Sequence, residues 1–274
     1  MYLSQLQELY HYRSLTWNLV ARELKARYRG SVLGFLWSFL NPLLLMSVYT
    51  LVFSVYMRWG MEDHVVYLGS GLLPWLWFSS SLLDSSGSII GGGNLIKKVL
   101  FPAEVLPLVV VFSNFFNFLF SLPILFLFVL VFQRPITPAF LALPFVIMIQ
   151  MVLLFGLGLL FSALCVHFRD IQHILGNFLT LWFFLTPVIY PYKNIEDLGK
   201  IIAAGEHPVL GELLVLPVKC NPVTPLALAY QNIFYHGKFP NFGQLAVIAA
   251  LAILIYLLGA SVFERYRVMF AEEV

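Results

Sequence analysis

Long apolar stretches alternate with short charged segments along this chain. Six of the stretches are long enough to cross the hydrocarbon core of a bilayer, which takes about 20 apolar residues in a helix. Flanking charged residues set their limits at about 33–57, 66–90, 105–131, 139–165, 171–191 and 243–263. The pattern therefore predicts an all-α integral membrane protein with six transmembrane helices.

The first 30 residues precede the first predicted span and follow a different pattern. Apolar residues recur at helical spacing on one face, namely Trp17, Val20, Ala21, Leu24 and Tyr28. Basic residues fall on another face, namely Arg22, Lys25 and Arg29. This arrangement predicts an amphipathic helix within residues 1–30, ahead of a transmembrane domain over 31–274. From the pattern alone, a passive membrane anchor and a partner-binding helix explain it equally well.

Residues 192–240 are too polar to form a span. Several prolines interrupt them, and apolar residues such as Ile195, Leu198 and Ile202 recur at helical spacing. Two structures fit this composition: short amphipathic helices that lie at or dip into the membrane interface, or a surface loop that packs on helix ends.

The distribution of Lys and Arg orients the predicted spans. Most basic residues of the short connecting segments fall on the side that holds both termini, which predicts cytoplasmic termini. Residues 192–240 then lie outside the cytoplasm. Cys165 is expected near the cytoplasmic face and Cys220 outside, so both are expected to be unpaired thiols.

Composition excludes several classes of protein. Of the 274 residues, 60% are hydrophobic and 11% are charged, against roughly 45–50% and about 25% in soluble domains. A net charge of +2 without a basic run beyond the first 30 residues argues against nucleic-acid binding. The chain lacks a GxxxxGK[ST] phosphate loop, a GxSxG motif and an HExxH motif, so we expect no ATP site of that kind, no catalytic residues and no metal site.

Asp84 is the one acidic residue within a predicted apolar span, and serines surround it. A carboxylate at mid-membrane is costly, so its side chain should face protein or water. It could belong to a hydrated substrate path, or the span could end near Leu83 and Asp84 could cap it at the surface. The candidate substrate channel combines residues from the first two spans: Tyr49, Phe53, Tyr56, Ser80 and Asp84.

The segment 94–107 is a short, charged connection between the second and third spans. Pro102 suits a helix start, and Glu104 then falls in the first turn, where a carboxylate favours the helix dipole. A compact docking loop and a simple basic connector both account for Lys97 and Lys98.

Five landmarks along the chain carry a family resemblance. They are RYRGSVLGFLW followed by LNPLL, IKKVLFPAEVLP at 96–107, FRDI at 168–171, TPVIY at 186–190 and NPVTPL at 221–226. In kind and order they resemble the permeases of ABC transporters that export bacterial polysaccharides, namely O-antigen, capsule and teichoic acid. The resemblance covers nearly the whole chain.

The resemblance implies a permease subunit that forms a homodimer and binds two copies of a separate ATPase subunit. ATP and Mg would bind that partner, with no cofactor on this chain. The N-terminal helix and the loop at 94–104 would contact the ATPase, and 192–240 would hold short gating helices. The implied ATPase-coupling residues are Arg22, Lys25, Arg27, Arg29, Lys97, Lys98, Phe101, Pro102 and Glu104.

We therefore expect a transmembrane subunit of the bacterial inner membrane that exports lipid-linked polysaccharide, with O-antigen as the first choice. Capsule or teichoic acid export and a permease for drugs or small lipids are alternatives within the transporter class. An ion-coupled secondary carrier and a membrane-embedded lipid-sugar transferase are alternatives from other classes. The carrier would depend on Asp84, while the transferase would form product without a partner.

Overall fold

The computed structural model describes residues 11–58, 60–93, 95, 102–204 and 208–270. Within these residues, all regular secondary structure is helical. The helices are α1 (Arg13–Arg27), α2 (Trp37–Thr50), α3 (His64–Ser86), α4 (Ser88–Gly91), α5 (Val105–Val131), α6 (Leu143–His167), α7 (Ile171–Phe184), α8 (Tyr192–Ala203), α9 (Pro208–Lys219), α10 (Thr224–Gln231) and α11 (Phe242–Tyr266). The shorter 3-10 and π segments are Gly34–Leu36, Leu51–Tyr56, Pro138–Ala142, Asn232–His236 and Arg267–Met269.

Four helical segments of the described residues are long and apolar enough to cross a membrane. They are Gly34–Tyr56, Val105–Val131, Pro138–His167 and Phe242–Tyr266. A fifth results if Gly211–Lys219 and Thr224–His236, which meet at a 77° bend, count as one broken span. The chain is therefore a multi-pass membrane protein. The second and fifth predicted spans correspond to α3 and α7, which are not among the four, so the count of six stays a prediction.

Helix α3 lies at the centre of the bundle. It packs against α2, α5, α6, α7 and α10, and 17 of its 23 residues are buried. Leu68 and Phe78 are wholly inaccessible to solvent. Because most of its surface contacts protein rather than lipid, α3 can carry the serines and glycines that lower its hydropathy.

Helices α6 and α11 make the most extensive helix pair. Gly156 and Gly259 meet at their crossing, and a Cβ atom on Gly156 would lie 2.5 Å from the backbone nitrogen of Tyr256. Small residues let two helix backbones approach closely, which is how apolar helices associate within lipid. A larger side chain at either glycine would force the helices apart.

Helix α10 departs from the expectation of an interfacial segment or surface loop at 192–240. Tyr230, Ile233 and Phe234, in α10 and the π turn that follows it, are wholly buried in the central core. Asn221 precedes α10, donates to Thr186 Oγ1 at 2.8 Å and accepts from Trp182 Nε1 at 2.9 Å. These contacts join two of the sequence landmarks, TPVIY and NPVTPL, inside the bundle.

Opposite ends of the bundle hold different groups of charges. Asp63 and Arg134 pair at the end where α3 begins and α5 ends. Glu104 and Arg267 pair at the end where α5 begins and α11 ends. Cys165 is buried, and Cys220, at the bend before α10, is exposed.

Candidate functional site

The interface helix α1 packs along the first turns of α5. Leu19 and Val20 are buried against Val105 and Val109. On the predicted apolar face, Val20 is buried, Leu24 packs against the same cluster, and Trp17, although 52% exposed, contacts the rings of Phe112 and Phe116. Thr16 and Leu19 are buried beside Val20, so α1 contacts another helix and not only the membrane surface. Ala21 is exposed.

Arg27, the last residue of α1, bonds to residues of α3 and α5. Its Nη2 lies 3.1 Å from Asp84 Oδ2, and its Nη1 donates to Asn114 Oδ1 at 2.8 Å. Asn114 Nδ2 donates to the same Asp84 oxygen at 3.1 Å. We call this three-helix group of Arg27, Asp84 and Asn114 the polar cluster.

The position and the partners of Asp84 bear on its two interpretations. Helix α3 continues to Ser86, so Asp84 lies within the last turn of the helix and does not cap it after Leu83. Its carboxylate is paired with a cation on another helix, which offsets the cost of placing it near the hydrocarbon. Arg27, expected at the ATPase surface, is directed towards this carboxylate. Arg27 and the other three basic residues of the predicted set, Arg22 and Lys25 on α1 and Arg29 just after it, are exposed.

A second link joins the start of the connection after α1 to α5. Tyr28 donates its hydroxyl hydrogen to Asn117 Oδ1 at 3.0 Å. The chain then turns into the first span through Gly30 and Gly34, whose φ angles are +79° and +49°. Glycine adopts such angles without steric cost, so these two positions allow the sharp turn from α1 into α2.

A cavity of about 530 Å³ lies beside the polar cluster, between α1, α2, α3 and α5. Its wall combines apolar and polar groups. The apolar part comes from Pro42, Leu45, Leu73, Leu76 and Phe118. Amide, hydroxyl, indole and guanidinium groups come from Arg27, Tyr28, Ser31, Trp37, Ser38, Asn41, Trp77, Ser80, Asn114, Asn117 and Ser121. Such polar groups at membrane depth are costly unless they face protein or water. A space of this volume can hold several water molecules, which the polar groups of its wall can bind.

A second cavity of about 430 Å³ lies between α2, α3 and α7. Tyr49, Trp75 and Phe183 line it, and Ser80 lines both cavities. The candidate channel residues are thus divided. Tyr49 and Ser80 face cavities, and Phe53 packs near Tyr49.

The remaining two candidate channel residues lie elsewhere. Tyr56 is 70% exposed. Asp84 belongs to the polar cluster. The candidate channel residues therefore do not form a single continuous site in one chain.

The end of the predicted coupling loop packs against the C-terminal end of α11. Glu104, immediately before α5, is buried, and its Oε1 lies 3.5 Å from Arg267 Nη1. Pro102 is buried two residues earlier. Lys97, Lys98 and Phe101 lie outside the described residues. Arg267 also pairs with Glu264 at 3.5 Å, so a charged cluster links the loop to the last helix.

The sequence patterns did not predict a role for three residues of the polar cluster and of the other side-chain links: Asn114, Asn117 and Arg267. The two asparagines stand three residues apart within the otherwise apolar run VVVFSNFFNFLF, and amides inside a span are a usable signal of an interior contact. Arg267 carried no such signal, because a basic residue after the last span fits the positive-inside rule without a partner. Among the described residues, His, Cys, Asp and Glu form no group of three that could hold a metal.

Comparison with known proteins defines the class. Residues 14–203 match the ABC-2 type transporter family. The O-antigen export system permease protein RfbA of Myxococcus xanthus is 42% identical over 268 residues, which cover 98% of both chains. Two Klebsiella pneumoniae proteins with the same name are 30% and 29% identical over 252 residues, 92% of this chain and 91% of theirs.

The chain belongs to the ABC-2 type transporter family. It is the membrane component of an ABC transporter, a class whose ATP hydrolysis takes place in an ABC ATPase. Family membership therefore implies an ABC ATPase as its partner, and the apolar helices fit a multi-pass protein of the inner membrane.

Proposed function

We propose that this chain is the permease subunit of an exporter that moves lipid-linked O-antigen polysaccharide from the cytoplasmic side across the inner membrane. The main support for this proposal is that the chain is 42% identical, over 98% of both chains, to a protein named for O-antigen export. An alignment of that extent leaves no large segment of either chain unmatched. In this proposal, two permeases assemble with two ATPase subunits, which bind ATP and Mg.

We further propose six membrane spans with both termini in the cytoplasm. Helix α3 has 23 residues, and at 1.5 Å per residue it is about 35 Å long, enough to cross a bilayer core. Its modest hydropathy is consistent with a span shielded from lipid by its neighbours. Helix α7 has 14 residues, and the turns up to Tyr190 would complete the fifth crossing.

The cytoplasmic end would contact the ATPase through α1 and the loop before α5. Arg22 and Lys25 on α1 and Arg29 just after it are exposed and can pair with acidic residues of a partner. Glu104 and Arg267 support the loop from inside the chain. Movement of the ATPase would thus reach the permease at α1 and at the start of α5.

The substrate would pass along the face formed by α2, α3 and α7 where two permeases meet. Aromatic side chains such as Tyr49 and Trp75 line the cavity on this face, and aromatic rings suit the faces of sugar rings. Ser80 adds a hydroxyl group between the two cavities. The exposed apolar residues of α2 and α7, including Val48 and Leu181, would contact lipid or the second permease.

The experiment is affinity purification of the chain from gently solubilised native membranes, with mass spectrometry of the proteins that accompany it. We expect an ABC ATPase in a ratio of two to two. In the corresponding gene deletion, lipid-linked glycan should accumulate inside the cell, and the glycan that accumulates identifies the substrate. An active preparation without any ATPase would contradict the proposal, and accumulation of capsule or teichoic acid would correct its substrate.

A further inference from the structure

Resting on the proposed function, we infer that the polar cluster of Arg27, Asp84 and Asn114 is a latch that couples movement of α1 to α3 and α5. Each residue belongs to a different helix, and the three side chains bond to one another. Arg27 is the last residue of α1, so a shift of this helix changes these bonds directly. The cluster therefore lies between the surface that would contact the ATPase and two helices of the cavities: α3, which lines both, and α5, which lines the first.

Asn114 fixes the geometry of the latch. It is 2% exposed and sits within the 27-residue helix α5. Its amide oxygen accepts from the guanidinium of Arg27, while its amide nitrogen donates to the carboxylate of Asp84. An amide is suited to this place because it can satisfy a cation and an anion at the same time.

The Arg27–Asp84 ion pair is partly exposed to solvent. Side-chain exposure is 30% for Arg27 and 41% for Asp84. Water can therefore solvate both charges when they separate, whereas a fully buried pair would resist separation. This partial hydration gives α1 two accessible positions, one bonded to α3 and one released.

The adjoining cavity provides the space for such a movement. Arg27, Tyr28 and Asn114 line its wall, so the end of α1 borders an open volume and not a packed core. The bond from Tyr28 to Asn117 lies along the same wall. When the end of α1 shifts, both links can change partners within this volume.

The test compares export per ATP hydrolysed in the complete transporter, purified with its ATPase and reconstituted with lipid-linked glycan. Asp84→Asn keeps the shape of the side chain and removes its charge. We expect export per ATP to fall at least fivefold while the amount of assembled complex and its ATP hydrolysis remain. The exchange variant Arg27→Asp with Asp84→Arg should recover at least half of the wild-type ratio, because the Asn114 amide can rotate to serve either arrangement.

Asp63→Asn is the matched control. It makes the same chemical change immediately before the first residue of α3, where Asp63 pairs with Arg134, and it should leave export per ATP within twofold of wild type. If Asp84→Asn does not fold, Arg27→Gln breaks the same ion pair and is measured instead. Wild-type export per ATP in folded Asp84→Asn or Arg27→Gln would overturn the latch. So would an exchange variant that exports no more per ATP than Arg27→Asp alone and Asp84→Arg alone.

Failure of the latch and failure of the proposed function are distinguishable. A wild-type chain that assembles with an ATPase and exports glycan supports the function whatever the variants do. A wild-type chain that exports without an ATPase contradicts the function before any variant is compared.

Discussion

The two ends of α3 each hold a carboxylate–arginine pair, and the pairs differ in how firmly they are held. Asp63 lies 2.6 Å from Arg134, and the side chains are 29% and 18% exposed. Arg134 also donates to the carbonyl of Glu62 and lies 4.1 Å from the ring centre of Tyr235. Asp84 lies 3.1 Å from Arg27, and both partners are more exposed.

This difference indicates a fixed end and an adjustable end of the same helix. At the Asp63 end, Tyr235 also donates to the Glu62 carbonyl at 2.8 Å, so several contacts must break together. At the Asp84 end, the partner helix α1 is held by a small apolar cluster with α5. A movement that begins at α1 can therefore alter the Asp84 end while the Asp63 end keeps its place.

The comparison of the two ends of α3 requires that the Asp84 end faces the cytoplasm. Thiol labelling tests this orientation, because each cysteine either reacts in intact cells or does not. In a Cys220→Ser background, Lys200→Cys on α8 should react with a membrane-impermeant reagent in intact cells, since Lys200 is 75% exposed. Lys25→Cys on α1 should react only after permeabilisation. Cys165 should stay unreactive in both cases because it is buried. The reverse pattern would invert the proposed orientation.

The fixed end should contribute more stability than the adjustable end. Arg134→Ala removes an ion pair, a hydrogen bond and a cation–π contact, and we expect a loss of about 1–3 kcal/mol in the free energy of unfolding. Asp84→Asn should cost less than about 1 kcal/mol, because its partner is partly hydrated. Thermal unfolding in detergent measures both.

Arg58→Ala is the control for Arg134→Ala. Arg58 is an exposed basic residue in the connection that leads to Asp63, so its substitution changes the charge there and leaves the pair intact. We expect a smaller shift than for Arg134→Ala. Equal losses for Arg134→Ala and Asp84→Asn would remove the distinction between the two ends.

The smallest effect is expected at the second link of α1. Tyr28→Phe removes the hydroxyl that bonds to Asn117 and keeps the ring that contacts Phe35. The net worth of one such hydrogen bond is about 0.5–1.5 kcal/mol, and the same unfolding measurement detects it. If Tyr28→Phe is as stable as the wild type, the hydrogen bond to Asn117 contributes nothing.

Much of the helical architecture was predictable from the sequence. The third predicted span, 105–131, coincides with Val105–Val131, and the first and last differ from the structure by a few residues at most. Charges and prolines mark these limits clearly because lipid tolerates few charges. Helix α10 was not predictable in the same way. Its short length and polar flanks indicate a surface segment, yet neighbouring helices bury it.

The candidate site was predictable only as separate residues. Asp84 stood out as a charge in an apolar span, and Arg27 as one of several basic residues near the N-terminus. Periodicity assigns a residue to a face of its own helix but does not identify the helix that packs on that face. Arg27 and Asp84 are 57 positions apart, so their contact depends on how α1 docks on the bundle.

The sequence by itself determined that this is a membrane protein, the positions of its most apolar helices and its resemblance to a family of exporters. These properties follow from local hydropathy, charge and motif order, which do not require knowledge of distant contacts. Only the tertiary structure determined that α3 is central, that α10 is buried in the core and that Arg27 bonds to Asp84 and Asn114. These features depend on which helices pack together, because the cost of a polar group in a membrane is offset by partners that lie far away in the sequence.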